Sequence, residues 1–135
     1  MLGFLRRRWF AADPDNRSTL GAAGERAAAR FLRRKGYRLL ARNYRCPTGE
    51  LDLIVLDGRT IVFVEVRTRR SEEDNDPAQW VSPHKWRQVH RVARYYIHEK
   101  DAYDRPCRFD LVAVLSPQGR RPQVQHYPEA YSPEA

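Results

Sequence analysis

Apolar residues recur at intervals of three and four in two stretches of the chain, and this spacing predicts two α-helices. The first helix is expected over residues 20–35, with Thr19 as its N-cap and Gly36 as its stop. The second is expected over residues 83–99, because Ser82 is a suitable N-cap and a proline follows it. Both predicted helices are therefore bounded by residues that favour helix ends.

Each predicted helix has one apolar face, with arginines on the other side. The first face consists of Leu20, Ala23, Ala27, Ala28 and Phe31, with Leu32 at its margin, and the second consists of Trp86, Val89, Val92, Ala93 and Tyr96. Glu25 falls near Leu32, at the edge of the first face. We expect both apolar faces to pack against another layer of the protein.

Five stretches rich in β-branched, aromatic and other apolar residues predict strands. They cover residues 37–45, 50–56, 60–68, 109–115 and 123–127, the last at an edge of the sheet. Residues 47–49 separate the first two strands, and Asp57-Gly58 marks a tight hairpin between the second and third. The order α-β-β-β-α-β-β indicates an α/β protein in which helices pack on a mixed sheet.

The 135 residues are enough for one domain with a modest core. We expect a basic, flexible arm over residues 1–18, a single domain over residues 19–131 and a short tail over residues 132–135. Residues 71–79 (SEEDNDPAQ) are acidic and rich in breakers, so they predict a mobile loop. The chain has no run of 18 apolar residues, which predicts that it has no transmembrane helix.

The charge balance points to a class of partner. The chain holds 25 lysines and arginines against 17 acidic residues, which gives a net charge of +8. Such an excess favours a polyanionic partner, with nucleic acid first and an anionic membrane surface second. A basic protein without such a partner is the alternative.

Cysteines and histidines narrow the chemistry. The two cysteines, Cys46 and Cys107, make no disulfide framework and fit a reduced cytoplasmic protein. The four histidines are scattered, and no Cys or His pair has zinc spacing, so we expect no zinc site. We also expect no small-molecule cofactor.

The stretch FVEVRTRR (residues 63–70) places the carboxylate of Glu65 in a strand that is otherwise apolar at its centre. An unpaired carboxylate buried there would cost several kcal/mol. Two explanations are open: an ion pair with Arg67, which shares its face of the strand, or coordination of a metal ion.

The turn between the second and third strands decides whether a second acid joins Glu65. With Gly58-Arg59 at the centre of the turn, Asp52 lies directly opposite Glu65. With Asp57-Gly58 at the centre, the two acids are diagonal neighbours that can still converge. A three-residue turn would place them on opposite faces.

Two like charges opposed on a sheet are destabilising unless a cation lies between them. Carboxylate oxygens are the natural ligands of hard divalent ions, so Asp52 and Glu65 predict a site for Mg²⁺ or Mn²⁺. The alternative is a surface face on which each acid pairs with an arginine.

Four blocks of the sequence carry a resemblance to a known family. They are GERAAARFL (24–32), ARNYRCPTGELDLIVLDGRTIVFVEVRTR (41–69), SPHKWRQVHRVARYYI (82–97) and CRFDLVAV (107–114). They resemble the YraN-like family of small proteins, which is related in pattern to archaeal Holliday-junction resolvases. The resemblance spans roughly residues 20–131 and implies a restriction-endonuclease-like mixed β-sheet flanked by helices. It leaves open whether the protein forms a homodimer, as the resolvases do.

The nuclease pattern PD-(D/E)xK, which this resemblance implies, makes Asp52 the first metal carboxylate and Glu65 the second. Similarity to the resolvases implies that Glu25 approaches the same metal and that the backbone carbonyl of Val66 completes the protein ligands. Glu50 would hold a metal-bound water or lie exposed at the start of its strand.

Two cations complete the expected site. Where the pattern has a catalytic lysine, this chain has Arg67, which stays protonated and can stabilise charge on a phosphate but cannot act as a base. Lys85 lies on the inward face of the second helix, in the first turn, where the helix dipole disfavours a cation. Pairing with a phosphate would explain Lys85, and so would extension of its ammonium group to solvent.

Three functions remain open. The first is a metal-dependent endonuclease for structured or branched DNA, with Asp52, Glu65, Arg67 and Lys85 as catalytic residues. The second is a nucleic-acid-binding module with a degenerate site, and the third is a basic protein that interacts with a membrane or protein partner through residues 4–10. In the first two, we expect nucleic acid to contact five arginines: Arg45, Arg69, Arg87, Arg91 and Arg94.

Overall fold

A computed structural model of the chain describes residues 16–71 and 76–133. Within these ranges, helices and strands follow each other in the order α-β-β-β-α-β-β, as predicted from the sequence. The helices are Asn16–Arg34 (α1) and Pro83–Glu99 (α2), and the strands are Arg38–Cys46 (β1), Gly49–Asp57 (β2), Thr60–Arg69 (β3), Cys107–Leu115 (β4) and Gln123–Tyr131 (β5). This α/β arrangement is consistent with a restriction-endonuclease-like fold.

The five strands form one mixed sheet in the order β1-β2-β3-β4-β5. Short turns join the antiparallel pairs β1–β2 and β2–β3. Strands β3 and β4 are parallel, and the crossover that a parallel pair requires contains α2. Residues 70–82 connect the carboxyl end of β3 to the N-terminus of α2.

Each helix covers one face of the sheet. The α1 side buries Ala28, Ala29 and Leu32 against Leu53, Val55, Val62, Val64, Val66, Val112 and Val114. The α2 side buries Trp86, Val89, Val92, Ala93 and Tyr96 in a cluster with Leu51, Ile54, Phe63, Phe109 and Leu111. Residues 61–66 of β3 are all buried because this strand lies at the centre of the sheet. Apolar burial on both faces is the main driving force for this fold.

Helix α1 begins earlier than predicted. It starts at Asn16, so Thr19 lies inside the helix and is not its N-cap. The prediction was wrong because, at residues 16–18, Arg favours a helical backbone and Asn and Ser disfavour it only weakly. The helix ends at Arg34, and Gly36 adopts the left-handed backbone (φ 95°) expected of a helix stop.

The buried face of α1 is also turned from the predicted one. Leu32, predicted at the margin, is fully buried, whereas Phe31 is only partly buried. Residues three, four and seven positions apart lie on the same side of a helix, so Glu25 continues the stripe formed by Ala28, Ala29 and Leu32. Glu25 therefore belongs to the side of the helix that packs on the sheet.

The predicted bounds of α2 are confirmed. Ser82 is its N-cap, and the Ser82 Oγ accepts a hydrogen bond of 3.0 Å from the backbone N–H of Lys85. The five residues of the predicted apolar face are the buried ones. Lys85 is half-buried on the same side as Val89 and Val92, as the spacing predicts.

Strand β5 is longer than the predicted stretch of residues 123–127. It continues to Tyr131 although it contains Pro128, which cannot donate a ladder hydrogen bond. An edge strand tolerates a proline, and Glu129 next to it takes a left-handed backbone (φ 53°) where the pairing with β4 shifts. The edge position that was predicted for this strand is confirmed.

Several predicted segments lie wholly or partly outside the described residues. Residues 1–15 of the expected arm, residues 72–75 of the expected mobile loop and the last two residues of the tail are among them. Residues 16–18, also assigned to the arm, are helical, and Pro77–Gln79 in the expected loop forms a short 3₁₀ helix. Neither described helix is long and apolar enough to cross a membrane.

Candidate functional site

The β2–β3 hairpin brings two acids to neighbouring positions. Asp57 pairs with Thr60, so Gly58 and Arg59 form the centre of the turn, and Gly58 has the positive φ (60°) that such a turn uses. The pairing runs back to Leu53 and Val64. The next positions in this register are Asp52 and Glu65, which realises the first of the three turn geometries considered from the sequence.

The strand β2 bends at Asp52. Leu51 and Leu53 belong to the clusters on opposite faces of the sheet, although residues two apart on a regular strand share a face. Asn43, at the facing position of β1, has a left-handed backbone (φ 49°). The backbone N–H of Val66 donates to the Asp52 Oδ2 at 2.9 Å. The Asp52 carboxylate thus binds the β3 backbone just beyond the last paired residues.

Helix α1 brings a third acid to the same place. An added Cβ at Gly24 would lie 1.8 Å from the Thr68 Oγ1, so the helix touches β3 here and only glycine fits. Glu25 follows directly, and the Asn43 amide, with its NH₂ group turned toward the Glu25 carboxylate, donates to both oxygens at 3.3 and 3.1 Å. Gly24 and Asn43 therefore set the position of Glu25.

These elements enclose a cleft of about 530 Å³, here called the acidic cleft. Its lining includes Glu25 from α1, Glu50 and Asp52 from β2, Glu65, Val66, Arg67 and Arg69 from β3, and Lys85 from α2. Six of these residues are the ones predicted as catalytic or metal-binding. Because the two helices cover opposite faces of the sheet, a cleft lined by both lies at the end of the β2–β3 pair.

The three central acids in the acidic cleft share a strong tendency to keep protons. Burial and the neighbouring Asp52 carboxylate raise the pKa of Glu25 to about 8. Burial and Asp52 likewise raise the pKa of Glu65 to about 8, although Lys85 and Arg67 oppose the shift. Burial raises the pKa of Asp52 as well, against the opposing effect of the Val66 N–H. Three carboxylates in one cleft cannot all ionise at low cost.

Both cations predicted for the site lie in the acidic cleft. The Arg67 Nη2 contacts the Glu65 Oε2 at 3.2 Å, and Glu65 is only 2% exposed, so the ion pair expected from their spacing is present. The Arg67 Nε is buried and has no hydrogen-bond partner among the described residues. Lys85 donates from its Nζ to the Gln88 Oε1 at 3.3 Å. Arg67 therefore has a free donor in a polar cleft, which favours an oxygen-bearing ligand.

The oxygen atoms of the acidic cleft are of the kind that a hard divalent cation binds, but they are not grouped as the ligands of one ion. Carboxylate oxygens and a backbone carbonyl are ligands of Mg²⁺ and Mn²⁺. Among residues 16–71 and 76–133, however, no three His, Cys, Asp or Glu side chains are already grouped as metal ligands. The Asp52 and Glu65 carboxylates bind the Val66 N–H and Arg67 instead.

The arginines predicted to contact nucleic acid lie in two groups. Arg69 lines the acidic cleft, stacks over the Trp80 ring at 4.9 Å and donates to the Thr68 carbonyl. Arg45 forms an ion pair of 2.8 Å with Glu50, whose exposed carboxylate matches the expectation of an exposed acid at a strand start. The second group lies on the outer side of α2 and consists of the exposed residues Arg87, Arg91 and Arg94.

Three residues that line the acidic cleft or position its acids were missed in the sequence. Gly24 carried a signal, since glycine inside a helix costs stability and indicates a close contact. Asn43 carried one too, because Asn is depleted in strands and tolerates a left-handed backbone. Thr68, which meets Gly24, carried none, since threonine is common in strands.

A second buried acid, Asp110 on β4, was also missed. It is fully buried and accepts hydrogen bonds from the Arg108 Nε (2.9 Å), the His126 Nε2 (2.7 Å) and the Glu129 N–H (3.1 Å). Burial acts to raise the pKa of Asp110, but the bonds from His126, Arg108 and Glu129 hold it below its usual value. We call Asp110, Arg108 and His126 the β4 network. Its hydrogen bonds and ion pairs are those of a structural network, and none of its three residues lines the acidic cleft.

Comparison with known proteins places the chain in a family. Residues 24–114 match the model of "Uncharacterised protein family UPF0102". A "UPF0102 protein" of Geotalea uraniireducens is 43% identical over 117 residues, which is 87% of this chain and 91% of that protein. One of Nocardia farcinica is 45% identical over 111 residues, or 82% of this chain and 87% of that protein. With most of the chain matched in this way, the protein belongs to the uncharacterised protein family UPF0102.

Proposed function

We propose that this protein is a YraN-like endonuclease of the PD-(D/E)xK type, dependent on Mg²⁺ or Mn²⁺, that cleaves structured or branched DNA in the cytoplasm. The observation that carries the proposal is the convergence of Glu25, Asp52 and Glu65 with Lys85 and Arg67 in the acidic cleft. Acids with raised pKa values, in a cleft with cations, are typical of sites that bind charged ligands or perform chemistry.

The acids are the proposed metal ligands. Asp52 and Glu65 would hold the ion from neighbouring strands, while Glu25 and the Val66 carbonyl complete the set of oxygen ligands. A bound divalent ion would supply activation of water and neutralisation of phosphate charge. Its positive charge would also favour the ionised form of the three acids, whose pKa values are raised by burial and, for Glu25 and Glu65, also by the neighbouring Asp52 carboxylate.

The cations are the proposed phosphate ligands. The Arg67 Nε is a buried donor without a partner among the described residues, and a phosphate oxygen in the acidic cleft would satisfy it. Lys85 lies in the first turn of α2, where a bound anion is favoured by the helix dipole. Because arginine stays protonated, Arg67 would stabilise charge on the phosphate and would not accept a proton.

The second candidate function is the binding of DNA without cleavage, and two observations favour it. Arg67 stands where the nuclease pattern has lysine, and the acids of the described protein are not grouped as metal ligands. In that case the arginines on α2 and around the acidic cleft would provide the affinity.

Either function predicts that the logarithm of DNA affinity falls with the logarithm of salt concentration, with a slope of about −0.9 per phosphate neutralised. Affinity that does not change between low and physiological salt would contradict both.

Cleavage separates the two functions. Purified protein would be incubated with linear, flapped and four-way DNA in the presence of Mn²⁺, Mg²⁺ or EDTA, and strand scission measured. We expect cleavage with Mn²⁺ or Mg²⁺ and none with EDTA or in Glu65→Gln, which retains much of its DNA affinity through the arginines. Cleavage by Glu65→Gln at the wild-type rate would show that Glu65 is no metal ligand. DNA binding without any cleavage would favour the second function.

Metal binding has a readout that needs no DNA. Millimolar Mg²⁺ or Mn²⁺ should raise the melting temperature of the wild type by mass action, which amounts to about 2.7 kcal/mol when the ion is present at 100 times its Kd. Asp52→Asn should abolish this shift while its side-chain oxygen keeps the bond from the Val66 N–H. A wild type whose melting temperature ignores both ions would indicate that the acids serve only ion pairs and shared protons.

A further inference from the structure

A second cleft lies on the outer side of α2, away from the acidic cleft. It measures about 600 Å³, and its lining includes Thr48 of the β1–β2 turn, Arg91, Arg94, Tyr95 and His98 of α2, and Tyr103 in the segment that follows. None of the described residues that line it is acidic. We call it the tyrosine cleft, and no residue of the proposed metal site belongs to it.

Two aromatic rings are exposed in the tyrosine cleft. Tyr103 is 65% exposed and Tyr95 is 37% exposed, and they are the only exposed aromatic residues among the described large apolar side chains. The Tyr103 hydroxyl and the His98 Nδ1 form a hydrogen bond, and their rings meet edge to face with centroids 6.1 Å apart. This contact holds Tyr103 beside the helix although much of its ring is open to solvent. Exposed rings at the rim of a cleft favour a ligand with a flat π-surface.

Two cations accompany the rings. Arg91 and Arg94 line the tyrosine cleft and are exposed, and neither forms an ion pair with any described residue. Their guanidinium groups can bind a phosphate or stack on a base. Aromatic rings and unpaired arginines together match the two parts of a nucleotide, the base and its phosphate.

We propose that the tyrosine cleft binds an unpaired nucleotide, so that the substrate of the acidic cleft is DNA in which a single strand leaves a duplex. In a duplex the bases are stacked and paired, and their faces are hidden from tyrosine rings. A single strand exposes them, and stacking of bases on aromatic side chains tolerates any sequence. The inference rests on the proposed function, since it names the class of DNA that the acidic cleft would receive.

The distance between the two clefts suits this arrangement. Lys85 lines the acidic cleft and Tyr95 lines the tyrosine cleft, and ten residues of α2 separate them. At 1.5 Å per residue this is roughly 15 Å along the helix. About four nucleotides at their spacing in a duplex strand cover that length. The exposed Arg87 lies on the same helix between the two clefts, where it can contact a phosphate.

Binding in EDTA tests the inference without any cleavage. Labelled single-stranded DNA of about 15 nucleotides and its duplex would be titrated against the wild type, Tyr103→Ala and Tyr95→Ala, with fluorescence anisotropy as the signal. We expect about tenfold weaker single-strand binding in each alanine variant and duplex binding within twofold of the wild type. Tyr103→Phe and Tyr95→Phe should retain single-strand affinity, because they keep the rings. Leu40→Ala removes an exposed apolar side chain that lines neither cleft and should bind as the wild type does.

Stacking has its own readout. A 2-aminopurine base in the single strand should lose fluorescence on binding to the wild type and to Tyr103→Phe, and recover it in Tyr103→Ala. If the alanine variants bind single strands as tightly as the wild type does, or weaken single strand and duplex equally, the inference is overturned. These measurements do not depend on metal. Loss of single-strand binding in the alanine variants would therefore support the tyrosine cleft as a nucleotide site even if the protein cleaves no DNA. Conversely, cleavage of blunt duplex and flap at equal rates would leave the nuclease intact and overturn the tyrosine cleft as a substrate site.

Discussion

Two regions of this protein bury acids, and they treat them in opposite ways. In the β4 network, the Asp110 carboxylate accepts hydrogen bonds from a guanidinium, an imidazole and a backbone N–H. In the acidic cleft, Asp52 receives one backbone N–H, and its other close neighbours include the carboxyl groups of Glu25 and Glu65. The pKa of Asp110 is accordingly lowered, whereas those of Glu25 and Glu65 are raised to about 8.

The difference indicates which region is structural and which is functional. A buried carboxylate whose oxygens already accept several hydrogen bonds has little need of a further ligand. A group of acids that repel one another gains from any cation that enters between them. The β4 network therefore serves to join β4 and β5, and its His126 ring meets Phe31 of α1 edge to face. The acidic cleft, in contrast, can gain free energy when a ligand binds.

Substitution in the β4 network should have the largest effect on stability. Asp110→Asn removes a buried charge and leaves the Arg108 guanidinium without its main partner, so we expect a loss of about 3–5 kcal/mol in the free energy of unfolding. Urea denaturation would measure it. Asp57→Asn is the matched control, because Asp57 also pairs with Arg108 but is 41% exposed, and it should cost no more than about 1 kcal/mol. Equal losses in the two variants would contradict a structural role specific to Asp110.

The two regions should also give stability opposite dependences on pH. Glu25 and Glu65 hold protons in the folded protein up to about pH 8 but only to about pH 4.5 when unfolded, so stability without metal should fall as pH rises across this interval. The slope cannot exceed about 1.4 kcal/mol per pH unit for each proton and should be smaller, because Glu25 is partly exposed. Asp110 has a lowered pKa, so its contribution is present above its usual pKa and is lost as pH falls below it.

Stability without metal should therefore be greatest near pH 5 and decline on both sides. Urea denaturation in EDTA from pH 3 to pH 9 would measure the profile. The double variant Glu25→Gln and Glu65→Gln should flatten the decline between pH 5 and pH 8 and leave the acidic side in place. Wild-type stability that is constant or rises between pH 5 and pH 8 would show that the pKa values of Glu25 and Glu65 are not raised in the folded protein.

A pair of glycines on α1 tests how Glu25 is placed. Gly24→Ala would force a Cβ to within 1.8 Å of the Thr68 Oγ1, so the helix must move, at a cost of about 1–3 kcal/mol. At Gly21, three residues earlier on the same helix, a new Cβ would have no atom of the described residues within 4 Å apart from its chain neighbours and the backbone of α1. Gly21→Ala should therefore stabilise the protein by up to about 1 kcal/mol. Thermal denaturation with and without Mn²⁺ would measure both. Gly24→Ala should also reduce the metal-induced shift in melting temperature, because Glu25 moves with the helix.

The fold was largely predictable from the sequence because its signals are local. Ser82 and the proline after it defined the start of α2, and runs rich in β-branched, aromatic and other apolar residues defined the strands. The position of α1 was harder, since a helix with five alanines between residues 20 and 32 has a weak apolar face, and Leu32 proved to be its centre. That error is also why Glu25 was placed at a margin when it lies on the packed side.

Residue patterns predicted those parts of the acidic cleft that a single hairpin or a single helix forms, and the family resemblance added Glu25 and the Val66 carbonyl. Asp52 and Glu65 follow from the turn, and Lys85 from the helix period, because these are short-range rules. For contacts between distant elements the sequence does not identify both partners. Gly24 indicates a close contact, but nothing points to Thr68, 44 positions away, and Arg108 meets Tyr37 across 71 positions. The arrangement of the β4 network depends on such contacts, and only the folded chain reveals them.

The smallest expected change in stability comes from Arg67→Lys, and it is informative about chemistry. Lysine keeps the charge beside Glu65, so the free energy of unfolding should change by less than about 1 kcal/mol. If the ion pair with Glu65 is the whole purpose of Arg67, the variant should also be silent in every assay of DNA and metal.

The proposed nuclease makes a different prediction, because lysine is the residue of the wider pattern and its compact ammonium can approach an attacking water. We expect Arg67→Lys to keep metal binding and to cleave as well as or better than the wild type, whereas Arg67→Ala loses cleavage. Cleavage by Arg67→Ala at the wild-type rate would show that Arg67 serves only the ion pair with Glu65. Its role would then be structural, like that of the residues in the β4 network.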